Sequence, residues 1–262
     1  MTLKTALLYE RYELKYHIPW AMVAEISDYI SGFCEMDHYS EISSDNFYSI
    51  NNLYLDTPNY QFFQNALVGQ DGRFNMRVRT YGDEENPLYF LEIKKKTGGF
   101  VKKTRAKITT TEWLEALENN LLLPAKDELV KKDYAYDFAY QAMINQARPV
   151  VFTQYRRKAY FSTIDDYARV TFDRDMRFIP RDNYSFERSK DMQFYDNPNY
   201  FEPENNVILE LKCETRVPYW IVDLIRTFNL QRSGFSKFVY AVNELNSIKV
   251  AITQHSQRIS AI

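Results

Sequence analysis

The amino-acid sequence predicts an α+β protein whose antiparallel strands form a barrel, with helices packed outside it. Segment after segment alternates apolar with charged or polar residues, which is the period-two pattern of a strand with two different faces. The chain also contains 21 Tyr and 18 Phe but only 7 Gly, and so many rings favour strands around a well-packed core. A few helical patterns interrupt the strands. Together these observations favour a barrel-like sheet with inserted helices.

The individual elements can be predicted in order along the chain. Alternating segments predict strands at Tyr9–His17, Phe47–Asp56, Asn75–Tyr81, Tyr89–Lys95, Phe100–Thr109, Pro149–Ser162, Tyr167–Phe178 and Asn206–Cys213. Apolar residues at helical spacing predict helices after Pro19 and at Tyr60–Leu67, Lys126–Gln146, Pro218–Leu230 and Gly234–Asn246. The helix after Pro19 has the apolar stripe Val23, Ile26, Ile30 and Phe33.

Two further segments complete the prediction. A helix capped by Thr111 is expected to pack inward through Trp113, Leu114, Leu117 and Leu121. The polar and aromatic segment Arg181–Glu204 is expected to form a loop that acts as a mobile flap.

The whole chain is expected to form one domain, with a core at about residues 9–246 and a tail at 247–262. A net charge of −2 argues against broad nucleic-acid binding. Cys34, Cys213 and three scattered His are too few for a disulfide scaffold or a zinc site, so a cytoplasmic location is expected. Neither a signal peptide nor a run of about 18 apolar residues is present. Any attachment to the inner face of a membrane is therefore expected to need a separate membrane protein.

Charged residues occupy alternate positions on several predicted strands, and most of them are cationic. The groups are Arg11/Glu13/Lys15, Arg77/Arg79, Glu92/Lys94, Lys103/Arg105 and Glu210/Lys212. Residues i and i+2 share a strand face about 6–7 Å apart, a spacing that lets two cations contact neighbouring phosphates. For any single pair, a water-facing sheet surface is the ordinary explanation. A barrel with a charged interior accounts better for the whole set, because the opposite faces are apolar and the charged face is cationic in a slightly acidic protein.

Several cations inside one barrel would repel each other and would need compensating anions. A polyanion with a divalent metal is the expected occupant, since Arg suits bidentate phosphate contacts and Lys supplies a point charge. Glu210 or Glu13 is then available for a hard cation. Ser236 and Lys237 stand at a predicted helix start that favours phosphate, although an ordinary N-cap also explains Ser236. The sequence contains no P-loop, protein-kinase signature or G-x-S-x-G elbow.

In their order and spacing these motifs resemble the VTC domain. That domain is the catalytic module of polyphosphate polymerases of the vacuolar transporter chaperone type, within the triphosphate tunnel metalloenzymes. The resemblance extends from Arg11 to about Asn246. Its landmarks are Arg11-Tyr12-Glu13-Leu14-Lys15-Tyr16, Tyr54-Leu55-Asp56-Thr57-Pro58, Arg77-Val78-Arg79-Thr80-Tyr81-Gly82, Leu91-Glu92-Ile93-Lys94, Lys103-Thr104-Arg105, Tyr155-Arg156-Arg157, Leu209-Glu210-Leu211-Lys212 and Phe235-Ser236-Lys237-Phe238.

The resemblance implies a tunnel that binds ATP phosphates and a divalent metal, Mn²⁺ rather than Mg²⁺. It implies transfer of the terminal phosphoryl group to a growing polyphosphate chain. Matching the motifs assigns the phosphate-contacting tunnel lining to Lys15, Arg77, Arg79, Lys94, Lys103, Arg157 and Lys237. Glu210 is the implied metal ligand, with Glu13 as a secondary candidate. Secondary phosphate contacts are Arg105, Lys212, Ser236 and Arg11.

One departure from the family pattern leaves the activity open. Gly234 stands where the eukaryotic polymerases have a second Lys, three positions before Lys237, and Arg232 is a nearby candidate substitute. The chain is also expected to lack the phosphate-sensing and transmembrane domains of the eukaryotic complexes, and in this it resembles stand-alone bacterial members. Three functions are compatible with the same tunnel: a polymerase, a triphosphatase acting on inorganic triphosphate or nucleoside triphosphate, and a polyphosphate-binding module without turnover. The expected ligands are ATP, inorganic triphosphate or polyphosphate, and not nucleic acid.

Overall fold

The computed structural model describes residues 11–98, 100–118, 133–165, 167–195, 206–214 and 216–247. The strands are β1 (Arg11–Ile18), β2 (Cys34–Met36), β3 (Tyr48–Asp56), β4 (Phe74–Tyr81), β5 (Tyr89–Thr97), β6 (Phe100–Ile108), β7 (Arg148–Ser162), β8 (Ala168–Pro180), β9 (Gln193–Phe194) and β10 (Val207–Glu214). The helices are α1 (Met22–Ile30), α2 (His38–Ile42), α3 (Gln61–Leu67), α4 (Thr110–Glu118), α5 (Asp133–Ile144), α6 (Tyr219–Thr227) and α7 (237–247). In this part of the chain, no helix has the length and apolarity needed to cross a membrane.

The ten strands form one antiparallel sheet that curls around a central cavity. Their order is β1-β10-β8-β7-β3-β4-β5-β6, with β2 added beside β7 and β9 beside β8. Glu13 on β1 lies 2.8 Å from the Lys94 ammonium on β5, so the curl brings the two ends of this order face to face. No ladder joins β1 to β6 among the described residues, and the sheet stays open along that side. The prediction of an α+β fold built on an antiparallel, curled sheet is confirmed.

Two layers of helices cover the outer face of the sheet. Helices α1 and α6 bury Ile26 and Trp220 against the half formed by β1, β10 and β8. Helices α4 and α5 bury Trp113 and Phe138 against the half formed by β4, β5 and β6. These layers exclude water from the apolar side of each strand, which directs the alternate, charged side chains into the cavity.

Helix α7 packs on the inward face instead. Its Phe238 ring stacks on Tyr54 of β3 with the ring centroids 4.9 Å apart. The buried residues Tyr155 and Phe178 complete this inner cluster. Because α7 begins at Lys237, this packing places the Lys237 side chain inside the curl.

The landmark Tyr54–Pro58 has a structural role at the end of β3. The fully buried Asp56 carboxylate accepts hydrogen bonds from the backbone N–H groups of Thr57, Phe62 and Phe63 at 2.7–2.9 Å. These bonds satisfy donors at the start of α3 that would otherwise lack partners. Asp56 therefore anchors the β3–α3 turn and holds β3 in register beside the cavity.

The predicted strands are found within two residues at each described end, whereas four helix predictions need correction. Helix α6 ends at Thr227 rather than Leu230, and α7 begins at residue 237 rather than Gly234. Helix α1 ends at Ile30, and Phe33 lies beyond it, stacked on Trp220 with centroids 5.6 Å apart. Helix α4 is capped by Thr109 rather than Thr111. The Glu112 N–H donates to Thr109 Oγ1 at 3.2 Å and the Thr109 N–H donates to the Glu112 carboxylate at 2.7 Å, which is a capping box.

Other predictions fail in part or fall outside the described residues. Leu114 was expected inside but is 54% exposed. The expected flap begins as packed structure, since Tyr184 and Phe186 contact the core cluster and Met192 is buried beside β9. The rest of that segment, the first part of the predicted Lys126–Gln146 helix, Leu121 and the tail from residue 248 lie outside the described residues. The short elements β2, α2 and β9 were not predicted.

Candidate functional site

The cavity inside the curled sheet has a volume of about 690 Å³ and a strongly cationic lining. Among the described residues, eleven Lys and Arg side chains line it, against two carboxylates. The cations are Lys15, Arg77, Arg79, Lys94, Lys102, Lys103, Arg105, Arg157, Arg169, Lys212 and Lys237, and the carboxylates are Glu13 and Glu210. An excess of this size in one enclosed space creates a local field suited to a polyanion.

One side of the cavity is formed by β4, β5 and β6, and we call it the basic wall. Its charged residues are Arg77, Arg79, Lys94, Lys102, Lys103 and Arg105, with Glu92 as its carboxylate. Glu92 is 1% exposed and accepts contacts at 2.6–2.7 Å from three of these cations: Arg77, Lys103 and Arg105. Burial would raise the pKa of Glu92, but the surrounding cations, led by Arg77 and Arg79, lower it well below its usual range. Glu92 thus stays ionised and fixes three cations in position.

Arg79 lies in the basic wall without an acidic partner. Its side chain is 5% exposed, its Nε donates to Asn52 Oδ1 at 2.8 Å, and its Nη2 donates to the Tyr155 hydroxyl at 3.2 Å. Among the described residues it forms no ion pair with a carboxylate. Glu92 favours the charged form of Arg79 from beyond ion-pair distance, whereas the two hydrogen-bond partners are neutral. A buried guanidinium without a carboxylate in contact is costly to keep away from water, and an anion in the cavity would compensate it.

The opposite side is formed by β1, β7, β8, β10 and the start of α7, and we call it the mixed wall. Its charged residues are Lys15, Arg157, Arg169, Lys212 and Lys237 with Glu13, Glu210 and Asp173, and Asp37 is the ion-pair partner of Arg169. Asp173 is fully buried and accepts two bonds from Arg157 at 2.6 and 2.7 Å and one from Lys237 at 2.6 Å. Burial opposes ionisation of Asp173, but Arg157 and Lys237 outweigh it and lower its pKa. This wall is therefore close to internally neutralised.

Glu13 and Glu210 are the carboxylates that face the cavity on the mixed wall. The Lys15 ammonium lies 3.5 Å from an oxygen of each and also donates to the Phe235 carbonyl at 2.9 Å. Burial would raise the pKa of both carboxyls, but neighbouring ammonium groups, led by Lys212, lower both well below the usual range. Both are ionised oxygen donors, as a hard divalent cation requires.

The described residues hold no group of three acidic, His or Cys side chains arranged for a metal. Two carboxylates still fit a divalent ion whose other ligands come from phosphate oxygens and water, since Mg²⁺-type sites commonly use only one or two protein carboxylates with substrate phosphates. The donor set of Glu13 and Glu210 is thus compatible with a metal that arrives with its ligand.

Tyrosine hydroxyls connect the cations of the cavity. The Tyr54 hydroxyl accepts a bond from Arg77 Nη1 at 3.2 Å, and the Tyr81 hydroxyl accepts one from Arg105 Nη2 at 2.5 Å. Burial would raise the pKa of Tyr81, but Arg79 and Arg105 outweigh this and lower it to about 8. Tyr81, which lies among these cations, therefore ionises at a lower pH than an ordinary tyrosine.

Comparison with known proteins identifies the family. A family model described as the VTC domain matches residues 10–246. The chain belongs to the VTC domain family. Comparison with curated proteins finds no match.

Several solved structures resemble the VTC domain described here at low sequence identity. A putative adenylate cyclase from Bacillus halodurans is 14% identical, with 87% of this chain and 94% of that chain covered and a TM-score of 0.49. A putative adenylyl cyclase from Hippeastrum, described as having a dominant triphosphatase activity, is 17% identical, with 90% and 96% covered and a TM-score of 0.44. A Pyrococcus horikoshii protein is 10% identical, with 89% and 98% covered and a TM-score of 0.42.

The predicted site residues of this VTC domain converge on one cavity. Every predicted residue lines it except Arg11, which begins β1 opposite Glu214 and whose side chain lies outside the described part. Their roles in binding and catalysis stay predictions. Arg232 does not take the place of the Lys missing at Gly234, because it forms a bridge with Tyr16 and is not among the residues of the cavity wall.

Sequence reasoning did not identify the buried carboxylates that hold the lining cations of the VTC cavity in position. The alternating pattern placed Glu92 on the same charged face as Lys94 but did not assign it a role as a counter-charge. Asp173 gave no such signal, because its partners Arg157 and Lys237 are 16 and 64 residues away. Other lining residues that were missed are Lys102, Arg169, Tyr54, Asn75, Tyr81, Tyr155 and Phe238.

Proposed function

We propose that this VTC domain protein is an ATP-dependent polyphosphate polymerase. In this proposal it transfers the terminal phosphoryl group of ATP to a growing polyphosphate chain inside the cavity. The observation that carries the proposal is Arg79, a 5% exposed guanidinium without a carboxylate partner in the described residues, in a wall that already has an excess of cations. A polyphosphate or triphosphate group supplies the missing negative charge.

The two walls have different tasks in this proposal. Arg77 and Arg79 hold the phosphate oxygens by guanidinium contacts, and Lys103 adds a point charge at the cavity edge. Phosphoryl transfer depends mainly on positioning and on stabilising charge around the transferred group, so the enzyme needs no covalent nucleophile. Cations already fixed by Glu92 and Asp173 meet this need, because they do not have to reorganise during the reaction.

A divalent metal is part of the proposal. Glu210, with Glu13 beside it, would hold the ion, and phosphate oxygens would complete its ligands. Mn²⁺ is the expected ion rather than Mg²⁺, and both accept carboxylate and phosphate oxygens. When bound, the metal neutralises charge on the phosphates.

The direct test is to incubate purified protein with ATP and Mn²⁺ and to separate the products by gel electrophoresis. Long polyphosphate is expected from the native chain and from Lys107→Ala, which removes an exposed cation outside the cavity wall. Arg79→Ala is expected to give none. Absence of polymer from a correctly folded native protein would contradict the proposal.

The same assay addresses the alternatives left open by Gly234. A Cβ at Gly234 would meet nothing within 4 Å, so the backbone leaves room for the Lys that the eukaryotic pattern has there. Orthophosphate release from ATP or inorganic triphosphate without chain growth would favour a triphosphatase. Calorimetric binding of polyphosphate without any turnover would favour a binding module. A cytoplasmic location and a separate membrane partner remain proposals that fractionation and affinity purification from cells can test.

A further inference from the structure

The β5–β6 hairpin carries a group of lysines that continues beyond the cavity. In the antiparallel register, Lys94 lies opposite Lys103 and Lys95 lies opposite Lys102. Lys96 follows on β5, two residues after Lys94 and on the same face. Lys94, Lys102 and Lys103 line the cavity, whereas Lys95 and Lys96 are not part of its lining. Basic side chains therefore continue from the cavity to the tip of the hairpin, through Lys96 on the cavity-facing side and through Lys95 and Lys102 on the opposite face.

The charges near the tip have little compensation. Lys94 and Lys103 have carboxylate partners in Glu13 and Glu92. Lys95, Lys96 and Lys102 form no ion pair among the described residues.

A carboxylate does lie close to this tip, since Asp71 accepts a hydrogen bond from the Gly98 N–H at 2.7 Å. It is one negative charge against three lysines. Like charges placed directly opposite each other destabilise a strand pair, so this arrangement is unfavourable unless an anion lies between or above them.

Protection of a sheet edge is the ordinary explanation for exposed lysines on a strand. It suits β6, which ends the strand order, and it accounts for Lys102 and Lys107. It does not account for Lys95 and Lys96, because β5 is paired on both sides, with β4 and with β6.

We propose that the hairpin lysines, defined as Lys95, Lys96 and Lys102, bind the part of a polyphosphate chain that extends out of the cavity. The inference rests on the proposed function of the cavity as a phosphate site. Every unit of the chain carries similar charge, and flexible ammonium groups act as point charges, so the hairpin can hold any segment while the chain moves along it. A triphosphate held inside the cavity would not reach Lys95 or Lys96. The affinity for phosphate chains should therefore increase with chain length.

The test compares a double variant, Lys95→Ser with Lys96→Ser, with the single control Lys107→Ser. Lys107 is an exposed lysine of the same hairpin, opposite Phe90 and outside the cavity lining. Dissociation constants for inorganic triphosphate and for long-chain inorganic polyphosphate are measured by calorimetry at several salt concentrations. The double variant should bind long polyphosphate roughly tenfold more weakly at low salt, with a salt slope smaller by about 1–1.5, as expected when two cations no longer release counterions from a flexible polyanion. Its affinity for triphosphate should not change, and the control should bind both ligands like the native protein.

The outcomes separate this inference from the proposed function. Equal weakening of triphosphate and long-chain binding, or equal weakening by Lys107→Ser, would overturn the hairpin assignment while the cavity proposal stands. Native protein that binds single-stranded DNA as tightly as polyphosphate would also overturn it. Native protein that binds neither triphosphate nor polyphosphate would refute the proposed function, and the inference with it. Removing like charges should not lower the melting temperature of the double variant, so unfolding would not explain a loss of binding.

Discussion

The two walls of the cavity differ in how their cations are neutralised. On the basic wall six cations, Arg77, Arg79, Lys94, Lys102, Lys103 and Arg105, are accompanied by one carboxylate among the described residues, Glu92. On the mixed wall five cations, Lys15, Arg157, Arg169, Lys212 and Lys237, have four carboxylate partners, Glu13, Glu210, Asp173 and Asp37. The basic wall thus has spare positive charge for a ligand, whereas the mixed wall is nearly neutral without one. Under the proposed function, the difference predicts that phosphate binds mainly at the basic wall and that the proposed metal binds at the mixed wall beside its structural ion pairs.

The walls also differ in their access to water. Asp173 and its partners Arg157 and Lys237 are 0%, 5% and 8% exposed in their side chains. Glu92 is equally buried, but Lys103 and Arg105 are 38% and 36% exposed. Cations that reach water can be rehydrated when their carboxylate is lost, and buried ones cannot. The comparison therefore predicts that a carboxylate is more important for stability on the mixed wall.

The largest expected effect comes from Asp173→Asn. Removing one partner of a buried ion pair typically costs about 3–5 kcal/mol, because the remaining charges are left uncompensated. We expect a loss of that size in the free energy of unfolding measured by urea denaturation at pH 7. The matched change Glu92→Gln should cost clearly less. An equal or larger loss of unfolding free energy for Glu92→Gln would contradict the proposed difference in stability between the two walls.

The buried ion pairs of Asp173 also predict how the free energy of unfolding depends on pH. Because Arg157 and Lys237 lower the pKa of Asp173 despite its burial, its ionised form stabilises the fold above the unfolded pKa, near 4. This contribution is lost as the pH falls below that value. The difference in stability between native protein and Asp173→Asn should therefore be constant near neutral pH and should shrink in acid.

The next effect concerns activity on the basic wall. Arg77→Ala should lower kcat/KM by about 10²–10³-fold, the loss typical when one charge-stabilising donor is removed. The fold should be retained, because Glu92 keeps Lys103 and Arg105 as partners. Lys212→Ala, on the mixed wall, should have a clearly smaller effect. Steady-state kinetics of both variants, with circular dichroism as a check on folding, measure the contrast. Full turnover by Arg77→Ala would show that phosphate does not bind at this wall.

The strands and the cations that they carry could be predicted from sequence because alternation is a local property. Arg77 and Arg79 need only the period of β4 to be assigned to one face. The neutralisation of those cations could not be predicted, since it depends on register between distant strands. The Asp173–Lys237 contact exists because α7 packs inside the curl, a tertiary choice that its apolar pattern does not reveal. The prediction of the α4 cap failed for a local reason. Thr109 and Thr111 can both cap a helix, and only the reciprocal hydrogen bond with Glu112 selects Thr109.

A third effect concerns the metal on the mixed wall. Glu210→Gln should raise the Mn²⁺ concentration needed for half-maximal binding by about tenfold or more, since it removes an ionised ligand. Electron paramagnetic resonance of Mn²⁺ with inorganic triphosphate present measures this without relying on turnover. Glu35→Gln is the control, because Glu35 is an exposed carboxylate on β2 that does not line the cavity. An unchanged Mn²⁺ titration for Glu210→Gln would show that the metal does not bind at this wall.

The smallest expected effect is the pH response of the basic wall through Tyr81. Burial would raise its pKa, but Arg79 and Arg105 lower it to about 8. Above that pH a phenolate would compete with phosphate for the same two guanidinium groups, so triphosphate affinity should fall a few-fold as the pH rises from 7 to 9. Phosphate groups with a second pKa near 6 are already ionised in this range, so the ligand adds little to the change.

Lys103 also loses charge at alkaline pH, because burial and repulsion from Arg77, Arg79 and Arg105 outweigh Glu92 and lower its pKa. Tyr81→Phe leaves the titration of Lys103 in place and removes only the Tyr81 hydroxyl. The difference between the calorimetric profiles of native protein and Tyr81→Phe therefore isolates Tyr81, and identical profiles would show that this phenol does not control the charge of the basic wall.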